Sequence, residues 1–140
     1  MEEHKDIIVF SEHILEGLSF LHAKQIAHLD IKPENIMLNP HTWRLTLIDF
    51  GVASIGDVDE QGHLRAQIKG GTLAYCSRMQ RDLQLLISST RDDKRRRQLL
   101  HDNALTQHAD IWGAAIVCLE MFCGGCSWRG REPAKAAVWT

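Results

Sequence analysis

The fold is decided by residues 28–51, which read HLDIKPENIMLNPHTWRLTLIDFG. Two strand-like apolar runs, residues 36–38 and 43–48, flank the cluster Asn39-Pro40-His41-Thr42, whose residue types favour turns. Two such runs around a short turn predict a β-hairpin. A polar loop, residues 28–35, precedes the hairpin, and Asp49-Phe50-Gly51 follows it. The predicted hairpin therefore has a polar segment at each end.

Hydrophobic periodicity predicts a helix on each side of this region. The first helix carries apolar residues spaced by three or four, which is typical of an amphipathic helix: Ile7, Phe10, Ile14, Leu18 and Leu21. The second, residues 110–123, is apolar on nearly all sides, which predicts that it is buried at the centre of the domain. Between them, the glycine-rich residues 49–77 are predicted to be irregular, and the charged residues 81–108 to be partly helical.

Both polar segments around the hairpin closely resemble the catalytic loop and the metal-binding Asp-Phe-Gly of eukaryotic-type protein kinases. The resemblance implies that Asp30 accepts the proton of the substrate hydroxyl and that Lys32 contacts the γ-phosphate of ATP. It implies that Asn35 and Asp49 hold Mg²⁺. Met37 would form the floor under the adenine, and it also fits a core position. These residue types suit phosphoryl transfer, which needs a base, a cation on the phosphates and oxygen ligands for the metal.

The resemblance continues downstream. Residues 71–77 (GTLAYCS) are similar to the end of a kinase activation segment, and residues 110–113 (DIWG) to the start of the central helix. The family pattern implies that Thr72 bridges Asp30 and Lys32, with a catalytic role for all three. Lys32 together with Thr72 is the serine/threonine pattern. The implied reaction is Mg²⁺-dependent transfer of the ATP γ-phosphate to a protein hydroxyl, so the implied partners are ATP and a protein substrate.

The implied fold class is α+β and mostly helical: a protein-kinase-like C-terminal lobe whose hairpin carries the catalytic and metal-binding loops. No two of the 10 glycines are spaced two apart, which rules out a Gly-x-Gly-x-x-Gly loop in these residues, and no lysine has a Val-Ala-x-Lys strand context. We therefore expect the N-terminal lobe to be absent and this fragment alone to have little activity. Residues 1–140 are expected to form one partial kinase domain, with an insertion at about 80–107.

Two residues depart from the family pattern. Leu29 stands where an arginine usually precedes the catalytic aspartate and receives an activation-loop phosphate. Met79 stands where a glutamate usually makes a structural ion pair, which predicts a less rigid substrate-side segment. Ser54 is the only hydroxyl side chain between Gly51 and Gly71. We therefore expect an enzyme that needs no loop phosphorylation.

Composition excludes several other classes of protein. The net charge of −2 gives no long-range attraction to nucleic acid, so no nucleic-acid partner is expected. The longest apolar stretch is too short to span a bilayer, so no membrane span is expected. The four cysteines favour reduced thiols in a cytoplasmic or nuclear protein, and the spacing of Cys123 and Cys126 favours a chance pair at a helix end. The basic residues 94–97 favour a solvated face over a localisation or nucleic-acid patch.

Three classes of function therefore stay open. The chain is part of an active serine/threonine kinase, or it is a pseudokinase or scaffold lobe that acts by binding, or it is an inactive fragment. The presence of Asp30, Lys32, Asn35 and Asp49 together favours the enzyme. The Met79 substitution and the missing N-terminal motifs favour the other two.

Overall fold

The computed structural model describes residues 2–124, with side chains from Lys5 onward. Along this part of the chain, one long α-helix is followed by six short strands and then by three further α-helices. The helices are α1 (Glu2–Ala23), α2 (Arg78–Ser89), α3 (Asp93–Asp102) and α4 (His108–Phe122). The strands are β1 (Ile26–Ala27), β2 (Ile36–Asn39), β3 (Arg44–Leu47), β4 (Ser54–Ile55), β5 (Asp57–Val58) and β6 (Leu64–Arg65). They form three antiparallel pairs, so the domain is mostly helical with small sheets.

The main core lies between α1, α4 and the β2–β3 hairpin. The apolar stripe of α1 is buried as its periodicity predicts, and it packs on the buried side chains of α4 and the hairpin. Burial of each such side chain stabilises the fold by about 1.5–3 kcal/mol. At Gly113 of α4, a Cβ would lie 3.0 Å from both the carbonyl oxygen and the Cβ of Ile31, so glycine allows this close approach. The core thereby fixes the position of the loop that contains Ile31.

The predicted hairpin is confirmed. β2 and β3 pair in antiparallel register, with Ile36 opposite Leu47 and Asn39 opposite Arg44. The Asn39 side chain accepts hydrogen bonds from the backbone N–H groups of His41 and Thr42, at 2.9 and 3.2 Å. Such bonds from an asparagine to the next residues stabilise a tight turn. The turn chemistry therefore explains why the chain reverses here.

The helix predicted to be central and buried is buried on one side only in the part of the chain that the structure describes. α4 runs from His108 to Phe122, and Ala114, Val117 and Met121 on one side are buried. On the other side, large apolar side chains are 41–59% exposed: Ile111, Trp112, Leu119 and Phe122. A helix that is apolar on all sides can bury any of its faces. The neighbouring elements decide which face is buried.

The prediction that residues 49–77 are irregular is only partly correct. β4 pairs with β1, which precedes the loop of residues 28–35, and β5 pairs with β6. Each of these four strands has two residues, which is too short for an alternating pattern within the strand. A 3-10 helix, Leu73–Tyr75, follows. The pairing of β4 with β1 anchors the segment beside the loop of residues 28–35.

The charged stretch after residue 77 contains two helices, as its partly helical prediction implies. Ser77 caps α2 by accepting a hydrogen bond from the N–H of Gln80, and Asp92 caps α3 by accepting from Lys94 and Arg95. The basic side chains of α3 are exposed or half-exposed. No helix within residues 2–124 is long and apolar enough to cross a membrane. Cys126 of the predicted cysteine pair lies outside the described residues.

Candidate active site

Asp30, Lys32 and Thr72 form one hydrogen-bonded set. The Thr72 hydroxyl donates to Asp30 Oδ1 at 2.7 Å and accepts from Lys32 Nζ at 2.7 Å. The Thr72 backbone N–H also donates to Asp30 Oδ1, at 3.0 Å. Lys32 Nζ lies 3.7 Å from Asp30 Oδ2. The bridge by Thr72 that the family pattern implies is therefore present, and it ties the loop of residues 28–35 to the distant segment of residues 71–77.

Asn35 shapes the loop from the other side. Its amide Nδ2 donates to the carbonyl oxygen of Asp30 at 2.8 Å and to Asp30 Oδ2 at 3.1 Å. Pro33 begins the 3-10 helix Pro33–Asn35, where its fixed φ and missing N–H fit the first helical position. The loop therefore closes on itself and holds both carboxylate oxygens of Asp30 in defined contacts.

Asp110 holds the backbone of this loop. It is 1% exposed, and its carboxylate accepts from the backbone N–H of His28 at 2.9 Å and of Leu29 at 2.8 Å. Asp110 Oδ2 also lies 2.8 Å from His22 Nε2 on α1. Leu29 has a φ of 65°, an uncommon conformation for a leucine. The carboxylate at the start of α4 thus fixes a strained turn just before Asp30.

Replacing Asp110 with alanine should destabilise the fold strongly. The change leaves two buried backbone N–H groups without their acceptor, and each unsatisfied group costs about 1–3 kcal/mol. We expect the free energy of unfolding of the chain to fall by roughly 3–5 kcal/mol in chemical denaturation. Asp82→Ala is the control, because Asp82 makes only an exposed ion pair with Arg78. Equal losses in the two variants would contradict the role of Asp110.

Asp49 is connected to the loop through the backbone. The N–H of Ile48 donates to the carbonyl oxygen of Asn35 at 2.9 Å, and His28 Nε2 lies 2.8 Å from the carbonyl oxygen of Ile48. Asp49 is exposed, with a φ of 59°, and its Oδ1 accepts from the N–H of Gly51 at 3.1 Å. The Asp49 side chain is not hydrogen-bonded to Asp30 or Asn35. It is placed beside them by the residue that precedes it.

Asn35 and Asp49 offer oxygen atoms of the types that Mg²⁺ binds. The Asn35 amide uses its nitrogen toward Asp30, which leaves its carbonyl oxygen as an oxygen donor, and Asp49 offers an exposed carboxylate. Mg²⁺ prefers such oxygen ligands and is usually held by one or two side chains together with substrate phosphates.

Met37 is half-buried on β2, opposite Thr46 and two residues after Asn35. It lies outside the hydrogen-bonded set.

Residues that the sequence did not single out fasten the segment containing Thr72. The Tyr75 hydroxyl donates to the Glu120 carboxylate, 3.0 Å from both oxygens, and Gln84 Nε2 donates to the carbonyl oxygen of Gly71 at 3.2 Å. Met79 is 75% exposed, so it makes no buried anchor. The lower rigidity expected from Met79 stays a prediction, and these contacts act against it. Glu120, the one carboxylate among the otherwise apolar residues of α4 after Asp110, is the feature of the sequence that indicates such a contact.

Cys76 lies beneath the site as an uncharged thiol. Burial raises the pKa of the Cys76 thiol, and the nearby Asp30 carboxylate raises it further, while Arg81 opposes the shift. A raised pKa keeps the thiol protonated near neutral pH, and thiols in that form are poor nucleophiles. Its Sγ lies 3.4 Å from the carbonyl oxygen of Thr72. Cys76 therefore acts as a packing residue behind Thr72.

Comparison with known proteins agrees with this geometry. Residues 2–78 match the family model of the protein kinase domain. The chain is 30% identical over 130 residues to protein kinase MCK1 of Saccharomyces cerevisiae, covering 92% of this chain and 28% of the relative. It is 32% identical over 120 residues to mitogen-activated protein kinase kinase 7 of Arabidopsis thaliana, covering 86% of this chain and 33% of the relative.

A third relative, mitogen-activated protein kinase kinase kinase 1 of Mus musculus, is 26% identical over 132 residues, which cover 90% of this chain and 7% of the relative. The chain thus spans a third or less of the length of these relatives. The family model covers more than half of the chain, and it includes the loop of Asp30 and Asn35 as well as Thr72. The chain belongs to the protein kinase family.

Proposed function

We propose that this chain is the C-terminal-lobe part of an ATP-dependent protein serine/threonine kinase. The observation that carries the proposal is the set formed by Asp30, Thr72 and Lys32, in which one hydroxyl is within 2.7 Å of both the carboxylate and the ammonium group. This set holds a base and a cation side by side, which is what transfer of a phosphoryl group to a hydroxyl needs. Asp110 of α4 holds the loop of residues 28–35, and Glu120 of the same helix holds the segment of residues 71–77 through Tyr75.

Each side chain has one task in the proposed reaction. Asp30 accepts the proton of the substrate hydroxyl as the hydroxyl oxygen forms its bond to the γ-phosphorus and the bond from that phosphorus to the ADP oxygen breaks. Lys32 places a positive charge beside the γ-phosphate. Thr72 fixes the distance between Asp30 and Lys32. Asn35 and Asp49 would hold Mg²⁺, which neutralises charge on the phosphates.

The acceptor is proposed to be serine or threonine. This finer assignment is supported by Lys32, two residues after Asp30, and by its bond to Thr72. The test is phosphorylation of a degenerate peptide library by the full-length protein, followed by phosphoamino-acid analysis. We expect phosphoserine or phosphothreonine in the product. Phosphotyrosine as the main product would refute the assignment.

A pseudokinase or scaffold lobe is the second candidate, and one observation favours it. Leu29 and Met79 replace residues with family roles. Upstream coding sequence in frame with Met1 separates the candidates. A glycine-rich loop and a strand lysine there would support the enzyme, and their replacement by other residues would support the binding lobe.

A further inference from the structure

Leu29 is part of a second apolar cluster, separate from the main core. It is 4% exposed, and it packs in a group of buried side chains that also contains Ala27, Leu64, Ala66, Ile68, Ile87 and Leu105. These residues come from the catalytic loop, the segment of residues 51–71, α2 and the strand-like residues before α4. The position where the family pattern has a phosphate-binding arginine is therefore occupied by an apolar contact to the same segment.

Backbone bonds join the same two regions. The N–H of Ala66 donates to the carbonyl oxygen of Leu105 at 2.7 Å, and the N–H of Leu105 donates to the carbonyl oxygen of Ala66 at 2.7 Å. The side-chain oxygen Oε1 of Gln107 accepts from the N–H of Leu64 at 2.8 Å. Paired backbone bonds of this kind hold two segments in one register. The segment of residues 64–68 is thus tied to the residues that follow α3.

We propose that Ile87, Leu105 and Gln107, here called the clasp, hold the activation segment in place and take over the task of a loop phosphate. The proposal rests on the proposed kinase function. The clasp residues are positioning residues, because they act through residues 64–71 on Thr72 and through Thr72 on Asp30. Ser54, the one hydroxyl between Gly51 and Gly71, is 3% exposed and paired in the β1–β4 ladder. No accessible phosphoacceptor is therefore present in that segment.

Tight contacts connect the clasp to the reacting groups. Gly71 has a φ of +136°, and a Cβ there would lie 2.8 Å from the carbonyl oxygen of Leu29. The carbonyl oxygen of Gly71 accepts from Gln84 on α2, the helix that also contributes Ile87. A shift of residues 64–68 would therefore move Gly71 against Leu29 and change the placement of Thr72. The activation segment has few ways to move while the clasp is closed.

The test compares Gln107→Met, which has similar length but no acceptor, with Gln107→Glu, which keeps one. Gln98→Met is the matched control, because Gln98 on α3 bonds only to Asp102. We expect amide hydrogen exchange at Leu64 and Ala66 to be about fivefold to tenfold faster in Gln107→Met and unchanged in the other two variants. Unchanged exchange in Gln107→Met would overturn the clasp.

Two further readouts keep the result unambiguous. If Gln107→Met unfolds as a whole, the amides of Ile14 and Leu18 also exchange faster, and Leu105→Ala then replaces it as the test variant with the same expectation. In the full-length protein, the clasp predicts a higher KM for peptide in Gln107→Met at an unchanged KM for ATP, restored in Gln107→Glu. Equal peptide KM values would overturn it. If local exchange is faster in Gln107→Met but the full-length protein has no kinase activity, the result would support the clasp and contradict the proposed function.

Discussion

Replacing Asp30 with asparagine should lower the rate of phosphoryl transfer in the full-length protein by roughly 10²–10⁴-fold, the usual contribution of a general base. Asparagine keeps the size of the side chain and one oxygen that can accept from Thr72, but it cannot take up the substrate proton. The affinity for ATP should change little, because Asn35 and Asp49 are untouched. The measurement is the single-turnover rate at saturating ATP and peptide.

Glu34→Gln is the matched control for this prediction. Glu34 lies in the same 3-10 helix as Asn35, is exposed, and loses only its charge. The rate of phosphoryl transfer of the Glu34→Gln variant should stay within about twofold of the wild type, as expected for a surface substitution. An Asp30→Asn enzyme with near-normal turnover, or a Glu34→Gln enzyme with an equal loss, would remove Asp30 from the role of base.

In the full-length protein, replacing Asp49 with alanine should abolish phosphoryl transfer. It should also abolish the Mg²⁺-dependent part of nucleotide binding. In the proposed function, the exposed Asp49 carboxylate would be the charged oxygen ligand of Mg²⁺, whereas Asn35 would supply only a neutral amide oxygen. The measurement is the shift in unfolding temperature on addition of ATP, with and without Mg²⁺. We expect the Mg²⁺-dependent part of the shift to disappear in Asp49→Ala.

Asp49→Asn separates the charge from the backbone conformation. The φ of 59° at residue 49 is tolerated better by asparagine than by alanine, so this variant retains the turn while it loses the charge. Asp57→Ala is the control, because it removes an exposed carboxylate on β5. A Mg²⁺-dependent shift that persists in Asp49→Asn and Asp49→Ala would contradict metal binding by this residue.

The local parts of the fold could be predicted from the sequence because local chemistry determines them. Helix α1 is predicted by the spacing of its own apolar residues, and the hairpin turn by the residue types around Asn39. In both cases the residues that determine the structure are close together in the sequence. The contacts of Thr72 and Asp110 lie far apart in the sequence. They could be anticipated only because the residue pattern resembles that of a family in which these contacts are expected.

The clasp and the exposed face of α4 could not be predicted in this way. Pairing of Ala66 with Leu105 depends on two segments that meet only after the chain has folded. Leu64, Ala66 and Ile68 alternate with polar residues, which favours a strand but does not identify Leu105 as its partner. At Leu29 the sequence shows that a charged group is missing, but only the structure shows the apolar residues that pack around the leucine.

The central claim is that the loops around Asp30 carry out phosphoryl transfer without a phosphate on the activation segment. The most direct measurement is transfer of the γ-phosphate from radiolabelled ATP to a serine peptide by the full-length protein after exhaustive phosphatase treatment, with and without Mg²⁺. We predict transfer that requires Mg²⁺, is unchanged by the phosphatase and is lost in Asp30→Asn. Nucleotide binding without transfer, or activity that disappears with a phosphate removed between Gly51 and Gly71, would contradict the account.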